Sequence, residues 1–459
     1  MTVNGMFGKL LCVLALAGVM YGQTAEELQR QAAEHKARGD AQGALALLER
    51  AEAKAPGSAK LQDDIGFLLA VLKKRPEAIE RFRKAIELDP DNARAHYHLG
   101  VGYWLGQDYD RSIPELQEAA RLAPGHFEYR YRLGVAFHDV GHYREAVAEL
   151  QVAVKLKPAD AEAWNRLGLA RQQLGDRELA LDAFHRAVEL DPGNVGARNN
   201  YGFLLVETGA ADEGIRQFEA ILKKEPGNLM AQVNIGFALI QKSDLDGAIR
   251  KFREVLESNP KLAIAHYNLG LALKQKDELE AARESLARAI ELDPKLAEAH
   301  YTLGVTYWQQ GDFAKTIHQM KEVIRLRPGH ADAHYMLGTA LKQAGKLDEA
   351  AAALREAIQL NPNSSGAYNN LAQILRVQGD REGAKAAFAA AARVRRRKEA
   401  EQAAMFHINT GIEKLRHDDL EGAEQQFRLA LEAAPQSERA QRYLAETLER
   451  KAAVSASKR

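Results

Sequence analysis

The stretch that decides the fold is residues 161–194, AEAWNRLGLARQQLGDRELALDAFHRAVELDPGN. Its apolar residues recur at helical spacing in two blocks, and Leu174-Gly175-Asp176 between them joins a C-cap glycine to an N-cap aspartate. Pro192 ends the second block, because proline lacks an amide hydrogen and disfavours a helical residue before it. The stretch predicts a helical hairpin made of an A helix, a short turn and a B helix.

This hairpin is one copy of a repeat. Numbering each copy so that its proline is position 32 starts the first repeat at Ala25 and the eleventh at Ser365, and a twelfth starts at Ala404. Position 8 is glycine in ten of the twelve repeats, position 20 is always small, and position 24 is always large and apolar. Small residues let two antiparallel helices approach closely, and the large one fills the space between neighbouring repeats. The prolines that recur every 34 residues are Pro56, Pro90, Pro124, Pro158, Pro192, Pro226, Pro260, Pro294, Pro328 and Pro362.

The repeat resembles the tetratricopeptide repeat (TPR), whose signature is matched by Trp164, Leu167-Gly168, Ala180, Phe184, Ala187 and Pro192. The resemblance implies an all-α fold: a right-handed α-solenoid superhelix of about twelve helix-turn-helix units. It is similar to the repeat region of O-linked N-acetylglucosamine transferases, without a catalytic domain. The expected segments are a signal peptide over 1–22, a solenoid over 23–398 with eleven units starting at 25, an insert over 399–403, a twelfth unit over 404–437, and a capping helix and tail over 438–459.

The N-terminus differs from the rest of the chain. Lys9 precedes an apolar run of eleven residues, Leu10 to Met20, which is shorter than the about 20 residues that span a bilayer as a helix. The run predicts a cleaved signal peptide and a periplasmic or extracellular protein, with an uncleaved N-terminal membrane anchor as the alternative. The only cysteine, Cys12, lies in this run, and Lys9 stands where a lipoprotein motif would need an aliphatic residue, which disfavours lipidation. The cleaved chain would have no disulfide or thiol chemistry.

Composition and motifs argue against several classes of function. Lys plus Arg equals Asp plus Glu at 63 each, so charge predicts no nucleic-acid partner. The sequence has no His-Glu-x-x-His, Gly-x-Ser-x-Gly or phosphate-binding loop motif, so we expect neither enzyme activity nor a cofactor. Histidines, which are common metal ligands, recur at position 4. Equivalent positions lie on helices about 8–10 Å or more apart, whereas all ligands of a zinc ion lie about 2.0–2.1 Å from it. We therefore expect no metal site at His96, His266, His300 and His334.

The resemblance also implies a concave groove lined by A helices, with positions 2, 5, 6, 9, 12 and 13 facing a ligand. Asparagine amides in such a groove can hold a peptide backbone, because each both donates and accepts hydrogen bonds, and aromatic residues are enriched at binding hot spots. The alternative is that these residues merely suit half-exposed helix positions; Trp164, at position 4, is assigned to the core. The candidate peptide-binding residues are Tyr97, Tyr131, Asn165, Asn199, Tyr267, Tyr301, Tyr335 and Asn369 at position 5, Asn200, Asn234, Asn268 and Asn370 at position 6, and Trp104 and Trp308 at position 12.

The pattern breaks at the end of the eleventh repeat. Residues 393–398 read Arg-Val-Arg-Arg-Arg-Lys, and Arg396 replaces the proline. We expect the B helix to run on into Glu399–Ala404, which would alter the path of the array and offset the last unit from the groove. The cations either contact an anionic partner or form a solvated face balanced by neighbouring glutamates.

Together these features predict a non-catalytic scaffold that binds protein or peptide partners in the groove. The alternative function is a substrate-recruiting or regulatory subunit of a separately encoded envelope enzyme, or of a secretion or assembly machinery. The sequence leaves the partner and the oligomeric state open.

Overall fold

A computed structural model describes the backbone of residues 23–457 and the side chains as far as residue 452. The predicted signal peptide, residues 1–22, lies outside the described residues. Within them the chain consists of 24 helices and no strand, so the predicted all-α fold is confirmed. Between residues 23 and 457, no helix has the combination of length and apolarity that a bilayer span requires.

The helices form two compact bodies, the first ending at Gln241 and the second beginning at Lys242. The first body contains the helices of repeats 1 to 6 and the A helix of repeat 7. Its helices are α1 (Ala25–Ala37), α2 (Ala41–Glu52), α3 (Ala59–Val71), α4 (Arg75–Leu88), α5 (Ala93–Trp104), α6 (Tyr109–Leu122), α7 (Phe127–Asp139), α8 (Tyr143–Leu156), α9 (Ala161–Gln173), α10 (Arg177–Leu190), α11 (Val195–Glu207), α12 (Ala211–Lys224) and α13 (Leu229–Gln241).

The second body begins with the B helix of repeat 7 and ends with a helix that follows repeat 12. Its helices are α14 (Leu245–Ser258), α15 (Ala263–Gln275), α16 (Leu279–Leu292), α17 (Ala297–Gln309), α18 (Phe313–Leu326), α19 (Ala331–Gln343), α20 (Leu347–Leu360), α21 (Ser365–Val377), α22 (Arg381–Arg416), α23 (Leu420–Ala433) and α24 (Glu438–Ser457).

The turn from A helix to B helix depends on position 15, which has a positive φ in every repeat. Seven repeats have glycine there, with φ between +76° and +92°, and glycine adopts this conformation without steric cost. The other five positions are Lys73, Gln107, Ser243, Asp277 and Asp418, with φ from 58° to 66°. Because all twelve turns keep the left-handed conformation, the hairpin geometry is set by the repeat and not by glycine alone.

Positions 8 and 24 meet inside the hairpins that have glycine at position 8, as repeat 5 shows, whereas the sequence predicted only that position 24 fills the space between neighbouring repeats. A Cβ added to Gly168 would lie 2.6 Å from the ring of Phe184, so only a residue without a side chain allows this approach. Eleven of the twelve position-24 side chains are 5% exposed or less, and the exception is Phe388. These side chains form the core between the two layers of helices.

The expected long helix at the end of repeat 11 is confirmed, and it is longer than we predicted. Helix α22 has 36 residues and contains the B helix of repeat 11, the insert at residues 399–403 and the A helix of repeat 12. It continues because no proline or glycine occurs between Ala384 and Thr410. It ends at a left-handed turn, where Asp418 has a φ of 58°. The core that repeat 12 forms with α24 is built from residues 404–444 alone.

Candidate protein-interaction face

The exposed side of the A helices, here called the A-helix face, is organised in the first body by bonds between consecutive repeats. The Asn200 side chain donates from Nδ2 to Oδ1 of Asn165 over 3.0 Å. Asn234 donates in the same way to Asn199, over 2.6 Å. In both cases position 6 of one repeat bonds to position 5 of the preceding repeat, 35 residues earlier. We call each such contact a lateral pair.

The lateral pairs change the interpretation of the predicted asparagine column. Asn165 and Asn234 are buried. Each lateral pair uses one donor hydrogen of the later asparagine and one acceptor lone pair of the earlier one. A carboxamide has two donor hydrogens and two acceptor lone pairs, so each pair keeps further hydrogen-bonding capacity. The asparagines therefore stabilise the junctions between repeats, and a bound peptide would use only their remaining donors and acceptors.

The predicted tyrosines of the first body also lie between repeats. The ring of Tyr97 stacks on Tyr129 of the next repeat at a centroid distance of 4.7 Å. Burial raises the pKa of the Tyr131 hydroxyl, while Arg166 of the next repeat acts to lower it. Both tyrosines are half-buried, so each presents part of its ring to the A-helix face and packs the remainder against the core.

Trp104 is held at the C-terminal end of its A helix by two charged neighbours. Its Nε1 donates to Oδ2 of Asp139 over 2.8 Å, and the guanidinium of Arg132 lies 4.6 Å from the ring centroid, within the range of a cation–π contact. The indole is half-buried. Its orientation is therefore set before any partner binds, which is favourable for a binding residue.

The aromatic candidates of the second body show the same partial burial. Burial raises the pKa of the Tyr267 hydroxyl, while Thr302 of the next repeat acts to lower it. The ring of Tyr301 stacks on His330 at 5.1 Å, and Trp308 lies 5.1 Å from Phe313. Half-buried Tyr335 packs against the core of repeats 9 to 11.

The asparagines of the second body make different contacts from those of the first. Asn268 is buried and donates to the carbonyl of Ile264 in its own helix over 2.9 Å. Asn370 accepts from Nζ of Lys342 over 3.1 Å and donates to Oγ1 of Thr339. Asn369 is half-exposed. Among the candidate asparagines of the second body, then, Asn268 faces its own backbone, while Asn370 and Asn369 lie at the surface.

Position 9 was among the positions expected to face a ligand, but none of its residues was among the candidate residues. It carries a half-buried or buried apolar side chain in repeats 2 to 9, and Phe203 stacks on Phe237 at a centroid distance of 5.6 Å and an interplanar angle of 17°. The sequence signal for this column is an apolar residue that recurs every 34 residues. Its members are Phe67, Val101, Val135, Leu169, Phe203 and Phe237 in the first body, and Leu271 and Val305 in the second.

The histidines at position 4 have a structural role in each body. His96, His266, His300 and His334 each place Nε2 3.0–3.2 Å from the carbonyl oxygen of the proline six residues earlier. Trp164 makes the same bond through its indole nitrogen, over 2.9 Å. Position 4 thus supplies a donor to the loop that joins two repeats. Across the described part of the chain, no cluster of three His, Cys, Asp or Glu side chains is arranged to hold a metal ion.

Comparison with protein families agrees with this repeat structure. A model described as "TPR repeat" matches residues 72–106 and 137–175, and one described as "Tetratricopeptide repeat" matches residues 161–194. A model described as "Cilia and flagella-associated protein 70 C-terminal domain" matches residues 194–408. The chain is a tetratricopeptide-repeat protein, a class whose members typically bind other proteins and do not catalyse reactions.

Individual relatives cover only parts of the chain. The inactive TPR repeat-containing thioredoxin TTL3 of Arabidopsis thaliana is 33% identical over 82 residues, which are 18% of this chain and 12% of that protein. A crystal structure of MamA is 30% identical over 36% of this chain and 96% of its own, with a TM-score of 0.35. MamA from Desulfovibrio magneticus RS-1 is 25% identical over 37% and 96%, with a TM-score of 0.36. With coverage and TM-scores this low, no function transfers from these proteins to this chain.

Proposed function

We propose that this protein is a non-catalytic scaffold that binds extended or helical segments of other proteins on its A-helix face. The observation that carries the proposal is the apolar position-9 column of the first body, which runs beside the lateral pairs. Partly exposed aromatic side chains on a rigid helical surface are typical of binding hot spots. The column would hold apolar side chains of the partner, and the remaining amide groups of the asparagines would bond its backbone.

The stacked rings of Phe203 and Phe237 make repeats 6 and 7 the centre of this face in the first body. Asn199 and Asn234 form a lateral pair between the same two helices, α11 and α13. An apolar patch and a polar pair thus lie side by side across one junction. This arrangement suits a segment that alternates apolar and polar contacts.

The test is an affinity purification from envelope extract with the chain from Gln23 onward as bait. A variant with Phe203→Ala and Phe237→Ala should lose specific partners, because truncation removes the stacked rings. The control variant, Arg186→Ala with Glu189→Ala, removes an exposed ion pair on the B helix α10 and should keep them. Circular dichroism checks that both variants fold. Partners that bind equally well to all three proteins would contradict the proposal.

A second variant separates the amides from the aromatic column. Asn200→Ala with Asn234→Ala breaks two lateral pairs, so it should weaken partner binding and also lower the stability of the junctions. Comparing its affinity with its hydrogen exchange in α9, α11 and α13 distinguishes a loss of contact from a loss of local structure.

We also propose that the protein is exported, on the basis of the run from Leu10 to Met20. Cell fractionation with and without residues 1–22 tests this directly. The full chain should be recovered outside the cytoplasm, with a new N-terminus near Gln23 if the segment is cleaved, and deletion should retain it inside. Equal distribution of both forms would contradict export.

A recruiting subunit of a separate envelope enzyme, or of secretion or assembly machinery, is the second candidate for the partner's identity. It is favoured if the purification returns a stable enzymatic partner that depends on Phe203 and Phe237. It is disfavoured if only structural envelope proteins are recovered.

A further inference from the structure

The end of repeat 11 lacks the cover that every other described repeat has at position 24. Phe388 is 37% exposed, whereas its counterparts are 5% exposed or less. Position 8 in the same repeat is Ala372 instead of glycine, but this is not the cause: repeat 1 has Ala32 there, and its Leu48 is 5% exposed. Phe388 belongs to neither the core of repeats 9 to 11 nor that of repeat 12. Phe388 is exposed because the A helix of repeat 12 does not pack over it.

The A helix of repeat 12 shows the matching defect at position 3. From repeat 2 to repeat 11 this position is buried, and in α24 it is the buried Ala440. In repeat 12 it is Phe406, which is 67% exposed. In α1, the first A helix that the structure describes, position 3 is the exposed, charged Glu27. Phe406 therefore differs from an ordinary uncovered end, because it is a large apolar residue at a position that repeats normally bury.

The junction between repeats 5 and 6 gives the register in which a B helix packs on the following A helix. Val188, at position 28, shares a core cluster with Ala197, at position 3. A second cluster joins Phe184, at position 24, to Tyr201 and Leu204, at positions 7 and 10. Positions 28, 24 and 20–21 of one repeat thus face positions 3, 7 and 10 of the next.

In this register the two uncovered faces of α22 fit each other. Position 28 of repeat 11 is Ala392, small where most repeats have Val, Ile or Leu, and it would face the large Phe406. The same exchange of sizes occurs where Ala120 packs with Tyr129 in one core cluster. Phe388 would face Thr410.

Charge is complementary in the same register. Lys385 occupies position 21 of repeat 11 and Glu413 occupies position 10 of repeat 12, and both are exposed. Lysine and glutamate that meet beside a newly buried apolar surface attract each other more strongly than in open water.

The two faces cannot meet within one chain, because α22 is a continuous helix. Phe388 and Phe406 are 18 residues apart, which is about five turns of 3.6 residues and about 27 Å along the axis. Both faces therefore look to the same side of one rod.

We propose that a second copy of this chain covers both faces. Two α22 helices lie antiparallel, so that the A helix of repeat 12 from each copy packs on the B helix of repeat 11 of the other. The pairing is isologous and closed: every contact occurs twice about a two-fold axis near Glu399. The partner copy thus supplies the A helix that packs on repeat 11. Within one chain this packing would need a turn between repeats 11 and 12, which the continuous helix α22 lacks.

The charge pair gives the first test, made on the full-length chain by analytical ultracentrifugation. The wild type should dimerise, and Glu413→Lys and Lys385→Glu should each raise the dissociation constant roughly tenfold by opposing like charges. Combining the two substitutions restores opposite charges and should recover dimerisation. The control, Glu432→Lys, changes an exposed residue of α23 outside the interface and should have no effect. A monomeric wild type, or a double variant no better than the single ones, would overturn the proposal.

Cysteine cross-linking gives the second test, because Cys12 is the only cysteine of the chain. In a Cys12→Ser background, the pair Lys385→Cys and Glu413→Cys should form disulfide-linked dimers on a non-reducing gel. Each cysteine alone should leave the chain monomeric on the same gel. In the proposed dimer a cysteine at 385 lies far from the cysteine at 385 of the partner copy, and the same holds for 413. Failure of the double variant to cross-link, in a protein with unchanged circular dichroism, would contradict the register.

Discussion

At the scale of single residues, the junctions between repeats are stabilised by polar groups as well as by the core. Glu52 ends α2 and accepts hydrogen bonds from Gln62, Arg81 and Lys84, over 2.8, 2.6 and 3.1 Å. Burial acts to raise the pKa of its carboxyl, but the bonds from Gln62, Lys84 and Arg81 outweigh it and lower the pKa to about 2. This carboxylate thus joins repeat 1 to repeat 2 in its ionised form.

The lowered pKa predicts a pH dependence at this junction. The contribution of Glu52 is fully present above its ordinary value of 4.5 and is lost as pH falls toward about 2, because the unfolded state then binds the proton more tightly. We expect Glu52→Gln to cost of the order of 1 kcal/mol at neutral pH, since water screens the cations. The difference from wild type should shrink as pH falls from about 5 toward about 2.

Hydrogen exchange of α2 to α4 in both proteins measures this difference. Glu49→Gln, at an exposed position of the same helix, is the control. If Glu52→Gln and wild type differed equally at all pH values, the carboxylate would not be the titrating group.

At the scale of the element, most A helices are attached to the loop before them by their position-4 side chain. The donor varies but the acceptor does not: Gln232 and Gln441 bond the carbonyls of Pro226 and Pro435 over 3.3 and 3.1 Å, as histidine does in other repeats. Each of these prolines lies two residues beyond the end of a B helix, so its carbonyl is outside the hydrogen bonds of that helix. Position 4 supplies a donor, which explains why residues as different as His, Trp and Gln occupy it.

This equivalence predicts how His266 can be replaced. His266→Gln should keep the bond to Pro260, which His266 makes over 3.0 Å, and should change stability little. His266→Ala removes the donor and should cost about 0.5–1.5 kcal/mol, the net value of one hydrogen bond. Local hydrogen exchange of α15 distinguishes the two variants. Equal loss in both would mean that the imidazole ring, and not the hydrogen bond, stabilises the loop.

At the scale of the whole molecule, each compact body is a series of described helices that pack against the helices next to them in the chain. Core clusters combine residues from a few consecutive repeats, such as the one that joins Val206 to Ala238 across repeats 6 and 7. Stability in such an array is the sum of terms within each repeat and between neighbours. Damage to one repeat should therefore weaken its immediate neighbours and leave distant ones unchanged.

Phe184→Ala tests this within the first body. Phe184 is fully buried, so its truncation should cost about 3–5 kcal/mol locally. Hydrogen exchange should rise in α9 to α12, while α1 to α4, in the same body, should exchange as in wild type. Leu354→Ala, another fully buried position-24 residue, is the matched variant for the second body. A uniform rise in exchange through α1 to α13 would indicate that the first body unfolds as a single unit.

The repeat architecture was predictable because its determinants are local. Glycine at position 8, a large apolar residue at position 24 and proline at position 32 act within one hairpin or at its boundary, so a single repeat such as residues 161–194 contains enough information to recognise the others. The continuation of α22 was predictable for the same reason, since it follows from missing helix breakers. Its full length was not, because we expected a boundary where repeat 12 begins.

The candidate site was only partly predictable. The sequence placed Asn165, Asn200, Tyr97 and Trp104 on A helices at positions that repeat with the helices. Whether each side chain is available to a partner depends on the residue 35 positions away, as the bond between Asn165 and Asn200 demonstrates. The sequence by itself thus determined the class of protein and the face its residues share, through periodic local packing. Only the tertiary structure decided which of those residues bond to one another and which faces remain uncovered, because both depend on how one repeat stacks against the next.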